Sequence, residues 1–129
     1  MGSYKKERKT MAKILALDDV LDAVNLIKRI LQRKGHEVVT FTEEEEALNY
    51  ARSNKLDLAI LDIKLKKISG VDVLEELKKI APAIRVIMLT GYPTIETARE
   101  SLKLGASEYC VKPIDKDELE EKVAEVLKN

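Results

Sequence analysis

One cysteine, one histidine and one phenylalanine, with no tryptophan, leave this chain short of the residues on which several kinds of protein depend. A lone Cys110 cannot close an internal disulfide, so the fold must rest on its core, and a reducing, cytoplasmic setting is expected. His36, beside Gly35, has no companions at metal-ligand spacing and reads as a surface residue of a turn. An excess of one charge is also missing, because 23 Lys+Arg balance 23 Asp+Glu. No basic field exists to hold nucleic acid or an anionic membrane, and direct contact with either is not expected. No apolar run approaches the roughly 20 residues that cross a bilayer, and no apolar signal-peptide core opens the chain.

What is present suits one domain. The chain has 129 residues, 45% of them hydrophobic, which provides for a single core and leaves no room for a second. Residues 1–11 read as a disordered or cloning-derived tail, with the charged stretch Lys5–Lys9 solvated, and residues 12–129 as the domain. A basic nucleic-acid arm is the weaker alternative, since Glu7 dilutes the cations. Short apolar or β-branched runs at Lys13–Leu17, Glu37–Phe41, Leu56–Leu61, Ile84–Leu89 and Ser107–Val111 predict five strands. Between them, apolar residues recur at helical spacing: Val20, Val24, Ile27 and Leu31; Ala47, Leu48 and Ala51; Val73, Leu74, Leu77 and Ala81; Leu119, Val123 and Val126. In the fourth helix, Thr94–Leu104, the stripe is thin, with Ile95, Ala98 and Leu102. Gly35 and Gly105 suit helix C-termini, Pro82 and Pro93 suit connections, and Thr42-x-x-Glu45 and Asp115-x-x-Glu118 fit capping boxes. Strict alternation predicts a doubly wound (βα)5 α/β sandwich of three layers, with a five-stranded parallel sheet in the order 2-1-3-4-5.

That order makes four polar features neighbours. Asp18-Asp19 follow the first strand, Asp62 the third, Thr90 the fourth and Lys112-Pro113 the fifth, so they gather at the carboxyl rim where open α/β sheets bind ligands. Taken singly, each has an ordinary reading: Asp19 as a helix N-cap, Asp62 or Thr90 as loop chemistry, Lys112 as a solvated cation. Their joint placement, one per strand end, favours a site. Carboxylates about 4 Å apart at an effective dielectric near 20 repel by about 4 kcal/mol per pair, which calls for a cation. Oxygen-only ligands select a hard ion such as Mg2+. Lys112 adds fixed positive charge, and Gly91 leaves the approach to Thr90 uncrowded.

From Ala12 to Leu127 the chain resembles the receiver domain of response regulators, which has a flavodoxin-like fold. The acidic pair falls on Asp18 and Asp19, the phosphoacceptor on Asp62, the switch hydroxyl on Thr90, the switch aromatic on Tyr109 and the Lys-Pro step on Lys112-Pro113. Leu89–Lys112 looks most like receivers attached to enhancer-binding transcriptional activators. The resemblance implies phosphoryl transfer from a sensor histidine kinase or histidine phosphotransfer protein to Asp62. Mg2+ would be held by Asp18, Asp19, Asp62 and the backbone carbonyl of Lys64, with Thr90 and Lys112 on the phosphoryl oxygens. It further implies a cis bond before Pro113 and a downstream output domain or protein. The partner would meet the face made by the fourth helix, fifth strand and fifth helix, and a phosphorylation-dependent dimer is compatible with this.

Two positions depart from the family pattern: Val20 stands where a third acidic residue is common, and Lys66 where a proline is. Lys64 and Tyr92 occupy positions that, by resemblance, govern water access to the aspartyl phosphate, and their bulk implies slow self-dephosphorylation. No enzyme acting on a separate substrate is expected, only self-catalysed phosphorylation and dephosphorylation. Competing readings are an Mg2+-dependent aspartyl-type phosphatase, whose Asp-x-Asp pair is absent, and a phosphorylation-independent binding module. A flavin binder is a third, but Asp18-Asp19 would repel its phosphate.

Overall fold

The computed structural model describes residues 11–128. The expected tail lies outside the described residues except for exposed Met11. In chain order the elements are β1 Lys13–Leu17, α1 Leu21–Gln32, β2 Glu37–Phe41, α2 Glu44–Ser53, β3 Leu58–Leu61, α3 Gly70–Ile80, β4 Arg85–Thr90, α4 Ile95–Lys103, β5 Glu108–Val111 and α5 Lys116–Lys128. The strands form one parallel sheet in the order β2-β1-β3-β4-β5.

Alternate strand residues feed two apolar layers, as the two-residue period of a strand requires. Leu15, Leu17, Leu61 and Met88 pack with Leu48 of α2 and Leu74 and Leu77 of α3. Ile14, Ile60 and Ile87 pack on the opposite face with Val24 and Leu31 of α1 and Leu119 and Val123 of α5. Each fully buried side chain of this kind contributes about 1.5–3 kcal/mol, so the two layers hold the sheet rigid under its rim. No helix among the described residues is long and apolar enough to cross a membrane.

Several local readings change. β3 starts at Leu58 and β5 at Glu108, each later than the apolar runs suggest, while β4 runs from Arg85 to Thr90. The N-cap of α2 is Glu43, without a side-chain cap bond, so Thr42-x-x-Glu45 is not a capping box. A complete box stands instead at α3, where Ser69 and Asp72 exchange side-chain and backbone bonds. Asp115 accepts from Glu118 N at 2.8 Å, as a cap should. On α4 the thin stripe faces outward: Ile95 is 68% and Leu102 55% exposed, and the buried position is Ser101. The helix leans on the sheet edge through small and polar side chains, which leaves its larger apolar groups to water. His36 is half-buried rather than a surface residue, because its Nδ1 accepts from Ala12 N at 3.2 Å at the entrance to β1. Gly35 (φ 94°) and Gly105 (φ 102°) occupy the left-handed region expected of them.

Candidate functional site

Register brings the predicted residues to one level. Leu17 pairs with Leu61, so Asp18 and Asp62 leave adjacent strands together, and Asp62 N donates to Leu17 O at 3.0 Å. Thr90 pairs with Val111, and Lys112 N donates to Thr90 O at 2.8 Å, continuing the ladder one step beyond β5. The fold thus delivers four chain segments, far apart in sequence, to a single rim.

Asp18, Asp19 and Asp62 each present a carboxylate oxygen, and these oxygens all lie within 4.8 Å of one another. Asp18 and Asp62 are buried, at 2% and 7% exposure. Lys112 Nζ binds Asp18 Oδ2 at 2.5 Å and Asp62 Oδ2 at 3.4 Å. Asp18 Oδ1 accepts from Val20 N at 2.9 Å and Asp62 Oδ1 from Ile63 N at 2.7 Å. Val20, not Asp19, is the N-cap of α1, and Asp19 makes no hydrogen bond or ion pair among the described residues. Burial, then repulsion by Asp18, push the Asp62 carboxyl above its ordinary pKa, although Lys112 and the Ile63 amide pull the other way. Burial works to lower the Lys112 ammonium, but its bonds to Asp18 and attraction to both carboxylates raise it instead. The lysine is therefore charged, and one cation is not enough for three acidic groups.

Thr90 is fully buried and its Oγ1 accepts from Tyr92 N at 3.0 Å, which leaves the hydroxyl proton free to donate. A Cβ on Gly91 would meet only the Lys112 side chain, at 3.9 Å, an ordinary contact, so the surrounding protein does not itself require glycine there. Tyr109 is half-buried, its hydroxyl 2.7 Å from Thr97 Oγ1 of α4. The Lys112–Pro113 peptide is cis. Lys64, exposed in the loop after Asp62, carries its ammonium over the Tyr92 ring, 4.3 Å from the centroid.

Two further residues shape the site without a clear mark in the sequence pattern. A Cβ on Gly70, the first residue of α3, would lie 1.9 Å from the Asp62 carbonyl oxygen, and Gly70 N donates to Ile63 O at 2.7 Å. Backbone therefore touches backbone directly behind the carboxylate, and only glycine fits. The Ser69 cap followed by glycine was the signal available. Glu44 is the other: buried at 3% exposure, its Oε2 accepts from Lys67 N and Ile68 N. Nothing in the run Glu43–Glu46 distinguishes it from its neighbours.

An open five-stranded parallel sheet with a lysine-bridged carboxylate cluster at its carboxyl rim defines a class, the receiver-like α/β domain. Residues 14–124 match the family model described as "Response regulator receiver domain", and the chain belongs to that family, the phosphorylated component of two-component signalling. It is 33% identical over 114 residues to the transcriptional regulatory protein ZraR of Escherichia coli K12, covering 88% of this chain and 26% of that protein. To the alkaline phosphatase synthesis transcriptional regulatory protein PhoP of Bacillus subtilis it is 34% identical, over 90% of this chain and 48% of that one. The chain thus spans a quarter to a half of these curated relatives. A solved CheY-like receiver domain protein from Methanospirillum hungatei superposes with a TM-score of 0.89 at 35% identity, covering 92% of this chain and 94% of that one.

Proposed function

We propose that Asp62 is the phosphoacceptor of this receiver, and that Asp18, Asp19, Asp62 and the Lys64 carbonyl hold Mg2+ during transfer. The reading is carried by one observation: three carboxylate oxygens within 4.8 Å of one another, at a rim where a single lysine offsets their charge. An all-oxygen donor set with a charge deficit suits a hard divalent cation. When bound, that ion neutralises carboxylate charge and the phosphoryl oxygens as they approach.

The chain's own groups do the rest. An Asp62 carboxylate oxygen attacks phosphorus, an O–P bond forms, and the bond from phosphorus to the donor nitrogen of a phosphohistidine breaks, its electron pair returning to the imidazole. Lys112 pairs with one phosphoryl oxygen as a point charge, and the free Thr90 proton is donated to another. The product is a mixed anhydride. Water attack at phosphorus regenerates the Asp62 carboxylate and releases phosphate. By family resemblance Lys64 and Tyr92 govern access of that water, and their cation–π contact, which holds the two bulky side chains together, supports slow self-dephosphorylation.

The donor we propose is a sensor histidine kinase or histidine phosphotransfer protein. Leu26, 52% exposed on α1, lines an apolar groove of about 410 Å3 with Ile27, Ile30, Pro113 and Leu119, beside Lys112, while Leu21, 59% exposed, lies outside that lining. An exposed leucine on an apolar groove next to the chemistry suits a helical partner. Engagement of Thr90 by the phosphoryl group would release Tyr109 from Thr97 and change the face of α4, β5 and α5 for a downstream output domain, output protein or second copy. Nucleic acid and membrane contact are no part of this domain's role, and its place is the cytoplasm. Incubation with acetyl phosphate and Mg2+ tests the acceptor assignment by intact mass: the wild-type chain gains one phosphoryl group, whereas uptake by Asp62→Asn at the wild-type rate would refute it.

A further inference from the structure

The loop from Asp62 to Ser69 starts at the proposed acceptor and runs into Gly70, which lies against the acceptor's backbone, yet it has no regular structure of its own. Its midpoint is held from outside. Lys67 N and Ile68 N both donate to Glu44 Oε2, at 2.6 and 2.9 Å, and next to them Lys66 Nζ meets Glu43 Oε2 at 3.0 Å. Burial alone would push the Glu44 carboxyl up, but the amides of Ile68, Glu44 itself and Lys67, with the Lys67 charge, outweigh it and hold it below the ordinary value. The ionised form is therefore the one that grips the loop. Its other oxygen, Oε1, is buried with no partner, a cost that a solvated glutamate in the same helical turn would escape.

From this geometry we infer that Glu44 is a positioning residue for phosphoryl transfer: its buried carboxylate sets the path of the loop that carries Asp62 and the Lys64 carbonyl. The inference rests on Asp62 being the acceptor. Charge-assisted bonds to two successive amides fix a loop more firmly than a neutral side chain does, and a displacement of about 1 Å at a reacting group costs up to about a hundredfold in rate. Its work is remote from the reacting atoms, so the effect belongs to geometry rather than to contact with phosphorus.

The test compares the wild-type chain with Glu44→Ala, Glu44→Gln and Glu45→Ala. Glu45 is exposed on the same turn and serves as the control. Four quantities are read: amide exchange at Lys67 and Ile68, Mg2+ affinity by titration, the acetyl phosphate labelling rate at saturating donor and Mg2+, and the urea midpoint. Glu44→Ala is expected to expose both amides, weaken Mg2+ several-fold and slow saturated labelling about tenfold, with Glu44→Gln between it and wild type and Glu45→Ala unchanged. A lowered urea midpoint with wild-type Mg2+ affinity and labelling rate would mean that Glu44 only supports the fold, and would overturn the inference. Should Glu44→Ala not fold, Glu44→Gln decides on the same readings. Should the wild-type chain take up no phosphoryl group, the acceptor assignment falls by itself, and wild-type Mg2+ affinity in the variants would still sink the Glu44 inference.

Discussion

At the scale of the residue, the decisive fact is that Asp62 is buried beside another carboxylate with only part of a lysine to offset it. Its pKa is raised in the folded chain, so the stability linked to protonation is present below the ordinary value of 3.8 and is lost as pH rises through the folded value. At neutral pH the ionised group therefore opposes folding. Asp62→Asn removes one carboxylate from the cluster and should stabilise the Mg2+-free protein by about 1 kcal/mol, because most of the repulsion from Asp18, about 4 kcal/mol at an effective dielectric near 20, is offset by the lost attraction to Lys112. A urea midpoint at or below wild type would show that the Lys112 pairing outweighs the repulsion. Gly70 carries the opposite expectation. With backbone 1.9 Å from a would-be Cβ, Gly70→Ala must push α3 away from Asp62, and a loss of more than about 2 kcal/mol is expected by chemical denaturation. Unchanged stability would mean that the approach is looser than described.

Among the elements, α4 is the least anchored, since its buried contact is a serine with an unpartnered hydroxyl and its larger apolar side chains, Ile95 and Leu102, lie in solvent. Helices held by so little buried apolar surface are the ones that shift. The Thr97–Tyr109 bond is then a principal tie between α4 and β5. Tyr109→Phe keeps the ring and removes the hydroxyl that meets Thr97, so faster amide exchange in α4 is expected with β1 and β3 unaffected; equal protection throughout α4 would reject the role. This tie was not legible in the sequence, because nothing in Thr97 or Tyr109 says that they meet. The strand ends were legible. Apolar runs closed by Asp18-Asp19, Asp62, Thr90 and Lys112 name the rim directly, since a parallel sheet converts chain order into neighbourhood. Capping at α2 misled because Thr42 and Glu45 match a local pattern, whereas Glu44 is committed to a loop some 23 residues away. The stripe of α4 misled for a related reason: periodicity shows where apolar residues align, not whether a neighbour covers that side.

For the whole molecule, two linked equilibria describe what the fold is for. A cation bound only by the folded chain stabilises it by mass action, by about 2.7 kcal/mol at a hundredfold excess over the dissociation constant. Mg2+ should accordingly raise the melting temperature of wild type and much less that of Asp62→Asn or Asp18→Asn, and an equal rise in all three would place the ion elsewhere. The second equilibrium is protonation of His36, whose pKa burial and Lys34 lower from 6.5. The unfolded chain then takes the proton more readily, so this contribution is present above pH 6.5 and is lost as pH falls through the folded value. His36→Gln should lessen the fall in stability between pH 7.5 and 5.5, with urea midpoints at the two values as the measure; an identical fall would remove His36 from the account.

The assignment of chemistry to one carboxylate is tested most directly by locating the phosphoryl group. Labelling the wild-type chain with Mg2+ and acetyl phosphate, reducing the acyl phosphate with borohydride and mapping peptides should find homoserine at position 62 alone. Homoserine at position 18 or 19, or a label that survives on a serine or threonine, would contradict it.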